Sequence, residues 1–189
     1  MSSERLLSRR ELIYRKGQAA ENIYKVEIGC IKTFAHRRNG RCLLVGMYFP
    51  GDYFGLEIRK MHHVSAEAVT SSKILVIGRK ALVSRAATEA AVSKEMLDIT
   101  GRELHRAMQH SLLLRLSANE RVGQFLFDMK KRNRGKEVEL VMSRQDIADY
   151  LNLTAESVAR ALTQLNNQSA ISFRSHRRVV VHIRRPMAA

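Results

Sequence analysis

The most constraining feature of this chain is the stretch 143–165, which reads SRQDIADYLNLTAESVARALTQL. Apolar residues recur at helical spacing in two short segments, and a gap of three residues separates the segments. Ser143 and Thr154 are both favoured N-cap residues, and each precedes one of the segments. The sequence therefore predicts one helix from Ser143 to Leu151, a tight turn, and a second helix from Thr154 to about Asn167.

Short strand patterns flank these two helices. EVELVM precedes the first helix, and AISFRS and RRVVVHIRR follow the second one as a predicted hairpin. The order strand, helix, helix and hairpin over residues 137–189 is that of a winged helix domain. Its predicted wing carries Arg174, His176, Arg177 and Arg178.

The N-terminal part of the chain has the pattern of short strands. LIYR, NIYKVEIG, IKTFAHRR, CLLVGMYF and KILVIG alternate with turn signals at Gly17, Gly40 and Gly51. CIKTFAHRRNGRCLLVGM is the clearest hairpin pattern, because Asn39 and Gly40 suit the two positive-φ positions of a type I′ turn. Strands at this spacing predict a small β-roll or barrel.

The middle of the chain, from about Ala81 to Met129, has helical periodicity. This apolar row can bury against its own copy in a second subunit, or against the β-domain of the same chain. The heptad-like spacing favours the first, and the glycine in the row would allow close approach, so we expect a homodimer interface. The row consists of Leu97, Gly101, Leu104, Met108 and Leu112.

Ser117 and Glu120 form a capping-box pattern, so a further helix is predicted to start there. Strand patterns precede this helix, and the two short helices follow it. This arrangement predicts the α+β fold class. The predicted domains are a β-roll over 1–88, a dimerisation helix over 89–116 and a winged helix-turn-helix domain over 117–189.

The formal net charge of +15 indicates an anionic partner such as nucleic acid, because Lys and Arg release counterions from phosphates. Ribosomal and membrane-surface proteins can have the same excess. No apolar run reaches the ~18 residues of a membrane span, and MSSERLLSRR lacks the apolar core of a signal peptide, so we expect a cytoplasmic protein with no membrane contact. Cys30 and Cys42 lack metal-site spacing, and no nucleophile–base set, P-loop or carboxylate pair indicates an enzyme.

In a helix-turn-helix unit the second helix enters the major groove of DNA, and its first turns meet base edges. Here those turns carry Ala155, Glu156, Val158, Ala159 and Arg160. The N4 amine of cytosine is the donor that Glu156 can read, and Arg160 can bind O6 and N7 of guanine. An ordinary surface ion pair between residues four apart is the alternative interpretation.

Other polar residues near this predicted interface can contact DNA phosphates, which position a protein without specifying a sequence. For Arg177 and Arg178 in the wing, the alternative to a phosphate contact is a hairpin turn that is merely solvated. The candidates are Ser143, Arg144, Thr154, Ser157, Gln164, Arg177 and Arg178.

Residues 12–185 resemble the regulators of the CRP/FNR superfamily. YRKGQAAENIYKVEIGCIKTFAHRRNGRCLLVGMYFPGDYFGLE is similar to the β-roll repeat pattern of that family, and SRQDIADYLNLTAESVARAL resembles its recognition motif. PGDYFGLE followed by SAEA is most similar to the FixK-like branch. The resemblance implies a cyclic-nucleotide-binding-like β-roll, a long dimerisation helix and a winged helix-turn-helix, in that order.

The resemblance also implies which residues read bases. The recognition-helix acid of the family matches Glu156, and its guanine-reading arginine matches Arg160. Ala155 precedes the acid, where FNR-type proteins are also apolar, whereas Ala159 stands where FNR-type and FixK-like proteins have serine. This implies a palindromic site with TTGA-type half-sites, whose outer bases are left open by the missing hydroxyl.

The cassette that binds cyclic nucleotides in this family corresponds to GDYFGLEIRKMHHVSAEA. Glu57 is displaced by one position from the Gly-Glu of the family, and Val64 precedes Ser65 where an arginine would hold the phosphate. Without that cation we expect no cyclic nucleotide, and without an N-terminal cysteine cluster no iron–sulfur centre. Three histidines that could ligate haem or another metal are interpreted as unliganded: His36, His62 and His63.

These patterns predict a sequence-specific transcription regulator that binds double-stranded DNA as a homodimer. It is expected to be an activator that contacts RNA polymerase and to need no cofactor, metal or effector. Two alternatives stay open. One is a sensor of the same fold gated by haem, nitric oxide or a metabolite in the β-roll, and the other is a basic RNA-binding or ribosome-associated protein.

Overall fold

The computed structural model describes residues 2–36, 42–57, 59–133 and 135–184. The chain forms two compact units, of which the first ends at Ala107 and the second begins at Met108. This division falls inside a helix.

In the described part of the first unit, short strands form two four-stranded antiparallel sheets of order β1-β8-β3-β6 and β2-β7-β4-β5. Side chains of both sheets share one core, which includes Tyr24 and Ile74 from the first sheet and Ile31 and Tyr48 from the second. The predicted β-roll is confirmed. Its strands are β1 (Ser2–Leu7), β2 (Leu12–Tyr14), β3 (Asn22–Ile28), β4 (Ile31–His36), β5 (Cys42–Tyr48), β6 (Tyr53–Phe54), β7 (Ser65–Ala68) and β8 (Ser72–Gly78).

Three of these strands, β1, β6 and β7, are not predicted from the sequence. β1 is a mostly exposed edge strand, β6 has two residues, and the SAEA sequence of β7 has low strand propensity. The predicted hairpin corresponds to β4 and β5, in which His36 lies opposite Cys42. The Asn39-Gly40 turn itself lies outside the described residues.

Helices follow the β-roll: α1 (Arg79–Thr88), α2 (Ala90–Leu113) and α3 (Ala118–Arg132). The predicted start of a helix after Ser117 is confirmed, because Ser117 and Glu120 form both hydrogen bonds of a capping box. The predicted limits 88/89 and 116/117 coincide with the end of α1 and with the residue before this N-cap. As a division into domains they stay a prediction.

One face of α2 packs on the β-roll of its own unit. Val92 and Ile99 are buried, and the Arg106 guanidinium donates to the carbonyl oxygen of Met47 at 2.6 Å and lies 4.0 Å from the Tyr48 ring centre. Glu103 pairs with Arg106 at 2.5 Å. None of these residues belongs to the predicted dimer seam, which is on the opposite side of the helix. The seam is the row Leu97, Gly101, Leu104, Met108 and Leu112.

The second unit has the predicted order of a winged helix domain. Its strands form one sheet of order β10-β11-β9, and each strand is shorter than its sequence pattern. β9 ends at Glu139 because the chain turns toward the N-cap at Ser143, although Leu140 still donates its backbone N–H to Arg177 at 2.8 Å. After α3 come β9 (Glu137–Glu139), α4 (Arg144–Leu151), α5 (Ala155–Asn167), β10 (Ile171–Phe173) and β11 (Arg178–Val181).

Candidate nucleic-acid interface

The two short helices start where their cap residues predict. The Ser143 hydroxyl accepts the backbone N–H of Asp146 at 3.0 Å, and the Asp146 carboxylate accepts the N–H of Ser143 at 3.1 Å, which completes a capping box. The Thr154 hydroxyl accepts the N–H of Ser157 at 3.1 Å. Between the helices, Asn152 has left-handed backbone angles, which asparagine tolerates well.

The apolar faces of α4 and α5 are buried, as the periodicity predicts. Burial of these faces fixes which side of α5 remains outside, because the exposed residues lie on the other side of the same helix. The buried residues are Ile147, Ala148 and Leu151 on α4, and Val158, Ala161, Leu162 and Leu165 on α5.

The exposed side of the first two turns of α5 carries the predicted base-reading residues. Ala159 is exposed and Ala155 is half-buried. The side chains of Glu156 and Arg160 are 77% and 73% exposed, and their closest oxygen and nitrogen are 3.7 Å apart. This separation is longer than the 2.7–2.9 Å of a charge-assisted hydrogen bond, so the pair is loose.

A second Arg–Glu pair at the same spacing is fully hydrogen-bonded, which makes it a reference for the Glu156–Arg160 pair. Arg85 and Glu89 on α1 are joined by two hydrogen bonds of 2.9 and 2.8 Å. Glu156 and Arg160 have the sequence order that helices favour for such pairs, yet their side chains are too far apart for a hydrogen bond. Both groups can therefore turn toward a ligand without breaking a strong bond.

Three of the predicted phosphate contacts also have roles inside the protein. The hydroxyls of Ser143 and Thr154 cap α4 and α5, and the Thr154 hydroxyl also lies 2.9 Å from the hydroxyl of Ser157. Ser157 and Thr154 can still meet a phosphate at the start of α5, where backbone N–H groups also point outward. Gln164 is exposed on α5.

Arg144 is half-buried at the first position of α4. Its Nη1 atom is buried and has no hydrogen-bond partner among the described residues, and burial lowers the pKa of the guanidinium. A partly desolvated cation gains more than an exposed one from a nearby anion. This favours Arg144 as a phosphate contact through the rest of its guanidinium.

The predicted wing is the turn between β10 and β11. Backbone N–H groups of Arg174 and Ser175 donate to the carbonyl of Arg178 at 2.9 and 3.3 Å, which closes the turn. Arg174, His176 and Arg177 are exposed, and Arg178 has a 4.0 Å contact with Glu137. The wing thus presents cations that are weakly engaged or exposed.

The predicted seam residues of α2 are exposed in the single chain. Such exposure of large apolar side chains along one helix face indicates a partner surface. A Cβ atom on Gly101 would meet nothing within 4 Å, so the row is open at this point. The exposed fractions are 72% for Leu97, 61% for Leu104, 57% for Met108 and 52% for Leu112.

Aromatic rings pack against one another inside the β-roll near the cassette. The His62 ring stacks on Tyr14 with 3.5 Å between ring centres, and its Nδ1 atom lies 3.3 Å from the Glu57 carboxylate. Burial lowers the pKa of His62 and raises that of Tyr14. A Cβ atom on Gly46 would lie 2.8 Å from the Tyr48 ring.

The polar groups of the cassette also have internal partners. The Arg79 guanidinium donates to the carbonyl oxygens of Ala20 at 2.9 Å and Gly55 at 2.7 Å, and to that of Glu57. The Ser65 hydroxyl accepts the N–H of Lys16 at 3.0 Å. The role of Arg79 was not predicted, because nothing in the local sequence indicates which distant carbonyls it meets.

His62 is buried, whereas His63 and His36 are exposed. Within the described ranges, no group of three His, Cys, Asp or Glu side chains is arranged to hold a metal ion. In the same residues no helix is both long and apolar enough to cross a bilayer.

Comparison with known proteins gives matches over both halves of the chain. Residues 4–89 match the cyclic nucleotide-binding domain model, and residues 120–188 match the Crp-like helix-turn-helix domain model. The first match agrees with the β-roll, and the second covers α4, α5 and the wing.

Individual proteins match almost the whole chain. The nitrogen fixation regulation protein FixK of Azorhizobium caulinodans is 39% identical over 95% of this chain and 75% of its own length. The transcriptional activator protein Anr of Pseudomonas protegens is 28% identical over 89% and 72%. The solved structure of FixK2 from Bradyrhizobium japonicum is 35% identical, covers 99% of this chain and 96% of its own, and superimposes with a TM-score of 0.92. The chain therefore belongs to the CRP/FNR superfamily of helix-turn-helix transcription regulators and, within it, to the FixK-like branch.

Proposed function

We propose that this chain is a transcription activator that binds a palindromic DNA site as a homodimer, reads each half-site with Glu156 and Arg160, and needs no bound effector. The observation that carries this proposal is the loose, exposed Glu156–Arg160 pair on the first turns of α5. A carboxylate at a surface that faces phosphates is useful there only if it meets a base donor, and cytosine N4 is that donor.

The homodimer rests on the exposed row of α2. Leu97, Leu104, Met108 and Leu112 would leave a continuous apolar face in water if the chain acted alone. A symmetric dimer presents two α5 helices, which fits a palindromic site with half-sites about one turn of DNA apart. The TTGA-type half-site follows from the residues that match the family.

Independence from an effector is proposed from the residues in and beside the cassette. The Tyr14–His62 stack and the Tyr48 ring occupy the interior beside the cassette. Val64 supplies no charge where a cyclic phosphate would need a cation. The protein would then be active as soon as it is made.

Activation and a contact with RNA polymerase are proposed from the relatives, since Anr is named a transcriptional activator. The protein would act where the DNA is, in the cytoplasm. The basic surface of the wing supports binding to duplex phosphates and no catalytic step is part of this proposal.

Selection of duplexes from a random pool by the purified protein, without added ligand, tests the proposal. We expect enrichment of a palindrome with TTGA-type half-sites, bound at least about 1000-fold more tightly than scrambled duplex at physiological salt. Equal binding of the palindrome, scrambled duplex and RNA would refute a sequence-specific regulator and favour the RNA-binding alternative. Enrichment only with an added metabolite or haem would refute effector independence.

Replacement of Glu156 by alanine should relax specificity at one base pair of each half-site. The loss of discrimination should be about 1–3 kcal/mol per half-site, because one base contact disappears, and the dependence of affinity on salt should stay nearly unchanged. Binding to duplexes with each base substituted in turn measures this. Glu89→Ala, which opens the closed pair on α1, is the matched control and should change nothing. A uniform change across all sequences would show that Glu156 has only a structural role.

A further inference from the structure

The C-terminal end of α4 has an unusual arrangement of hydrogen bonds. The last carbonyl groups of a helix lack partners within the helix. In α4 the carbonyl of Ala148 accepts the backbone N–H groups of Asn152 and Leu153. The carbonyl oxygens of Tyr150 and Leu151 accept hydrogen bonds from side chains of two other helices.

The first of these donors is His110, in the last turn of α2. Its Nε2 atom lies 2.8 Å from the carbonyl oxygen of Tyr150, and since a carbonyl can only accept, Nε2 carries the hydrogen. The His110 ring also stacks on the Tyr150 ring, with 4.3 Å between centres and 15° between planes. Phe125 of α3 contacts the same tyrosine ring at 6.1 Å.

The second donor is Arg121, in the first turn of α3. Its Nη1 atom donates to the carbonyl of Leu151 at 3.0 Å and contacts that of Asn152 at 3.5 Å. Its Nε atom donates to the carbonyl of Leu116 at 2.7 Å, in the connection between α2 and α3. α4 has no basic residue in its own last turn, so Arg121 supplies the positive charge that favours a helix C-terminus.

These contacts join the helix-turn-helix to the end of the helix that carries the seam. His110 lies between Met108 and Leu112 in the sequence, and the two apolar residues are exposed on a different side of the helix. A change in the angle between α2 and α4 would break the His110 bond and the ring stack together. It would also separate the carbonyls that Arg121 bridges.

We propose that His110 and Arg121 are positioning residues that set the distance between the two half-sites the dimer accepts. This inference rests on the proposed function. In a dimer joined through α2, the separation of the two α5 helices is fixed only if each helix-turn-helix is held at a fixed angle to its own α2. With the two donors removed, the short connection at residues 114–117 would act as a hinge, and the dimer would accept several half-site spacings.

The test uses the full-length protein and duplexes in which two identical half-sites are moved together or apart by one or two base pairs. The wild type should bind one spacing much more tightly than its neighbours. His110→Leu and Arg121→Gln should each reduce this preference about tenfold, since a hydrogen bond within a protein, especially a charged one, contributes about that much. Affinity for a duplex with one half-site, and discrimination at the base pair read by Glu156, should be unchanged.

Conservative variants separate positioning from general stability. Gln at position 110 keeps a donor in the place of Nε2, so His110→Gln should restore most of the spacing preference. Arg121→Lys keeps the charge but cannot bridge the carbonyls of Leu116 and Leu151, so it should stay impaired. Thermal unfolding of each variant shows whether it is folded at the assay temperature.

Full spacing preference in both His110→Leu and Arg121→Gln would overturn the inference. So would an equal loss of affinity at every spacing and for the single half-site, without rescue by His110→Gln, because that is the result of mere destabilisation. If a loss of fold prevents the assay of one variant, the other and the two conservative variants decide. A wild type that binds all sequences alike would instead refute the proposed function.

Discussion

Replacing Leu104 with glutamate should convert the protein to a monomer and weaken its binding to the palindromic site by at least about 100-fold. Leu104 is 61% exposed in the single chain and lies in the middle of the apolar row. In the proposed dimer its copy would face it, so two carboxylates would be brought together out of water, which is strongly unfavourable. Each monomer would then bind one half-site, and the 10²–10⁴-fold gain from linked binding would be lost.

Light scattering of the eluting protein and titration of the labelled palindrome measure the two effects together. Gln109→Glu is the matched control, because Gln109 is also exposed on α2 but lies about a quarter turn from the row. It adds the same charge and should leave both the mass and the affinity unchanged. A dimer that persists in Leu104→Glu would show that the subunits meet through another surface.

The α2 helix also shows where sequence reasoning stops. The periodicity predicts the apolar row, but it leaves open whether the row meets the β-roll or a second subunit. In the structure, Arg106 on the opposite face of α2 contacts the β-roll, and Val92 and Ile99 on that face are buried. The row itself stays exposed, and this outcome depends on tertiary contacts such as the bond from Arg106 to the Met47 carbonyl, which no local pattern encodes.

The helix-turn-helix could be predicted almost residue by residue because its signals are local. A cap residue and an apolar face mark each of its helices within a few positions of the sequence. The bonds of His110 and Arg121 to the carbonyls of Tyr150 and Leu151 join residues 30 to 40 positions apart. A histidine and an arginine on helices have many possible partners, so only the fold identifies these two.

The strands were predictable where they bury large apolar side chains. β4 and β5 bury large side chains such as Phe34 and Leu44, whereas β7 buries only Ala66 and Ala68. Small residues are needed there because the roll interior is occupied by rings such as Tyr14 and Tyr48. The packing therefore accounts for alanine at these two positions, and the low strand propensity of alanine hides the strand from sequence analysis.

Replacing Arg160 with alanine should lower the affinity for the selected palindrome by at least about 30-fold. A bidentate contact of arginine with guanine contributes about 1–3 kcal/mol, and the dimer would lose one in each half-site. Little would be lost within the protein, since Arg160 is 73% exposed and its 3.7 Å contact with Glu156 is weak. Competition between the palindrome and scrambled duplex, at two salt concentrations, measures the specific and non-specific parts of the affinity.

Arg160→Lys and Arg85→Ala sharpen this test. Lysine keeps the charge but lacks the planar fork, so Arg160→Lys should retain scrambled-duplex binding and still lose discrimination at the guanine. Arg85→Ala removes an exposed arginine from the other Arg–Glu pair and should leave specificity intact. If Arg160→Lys instead behaved as wild type, and Arg160→Ala weakened all duplexes equally, Arg160 would be a phosphate contact. Glu156 would then have no base-reading partner, and the acid on this basic chain would need a different explanation.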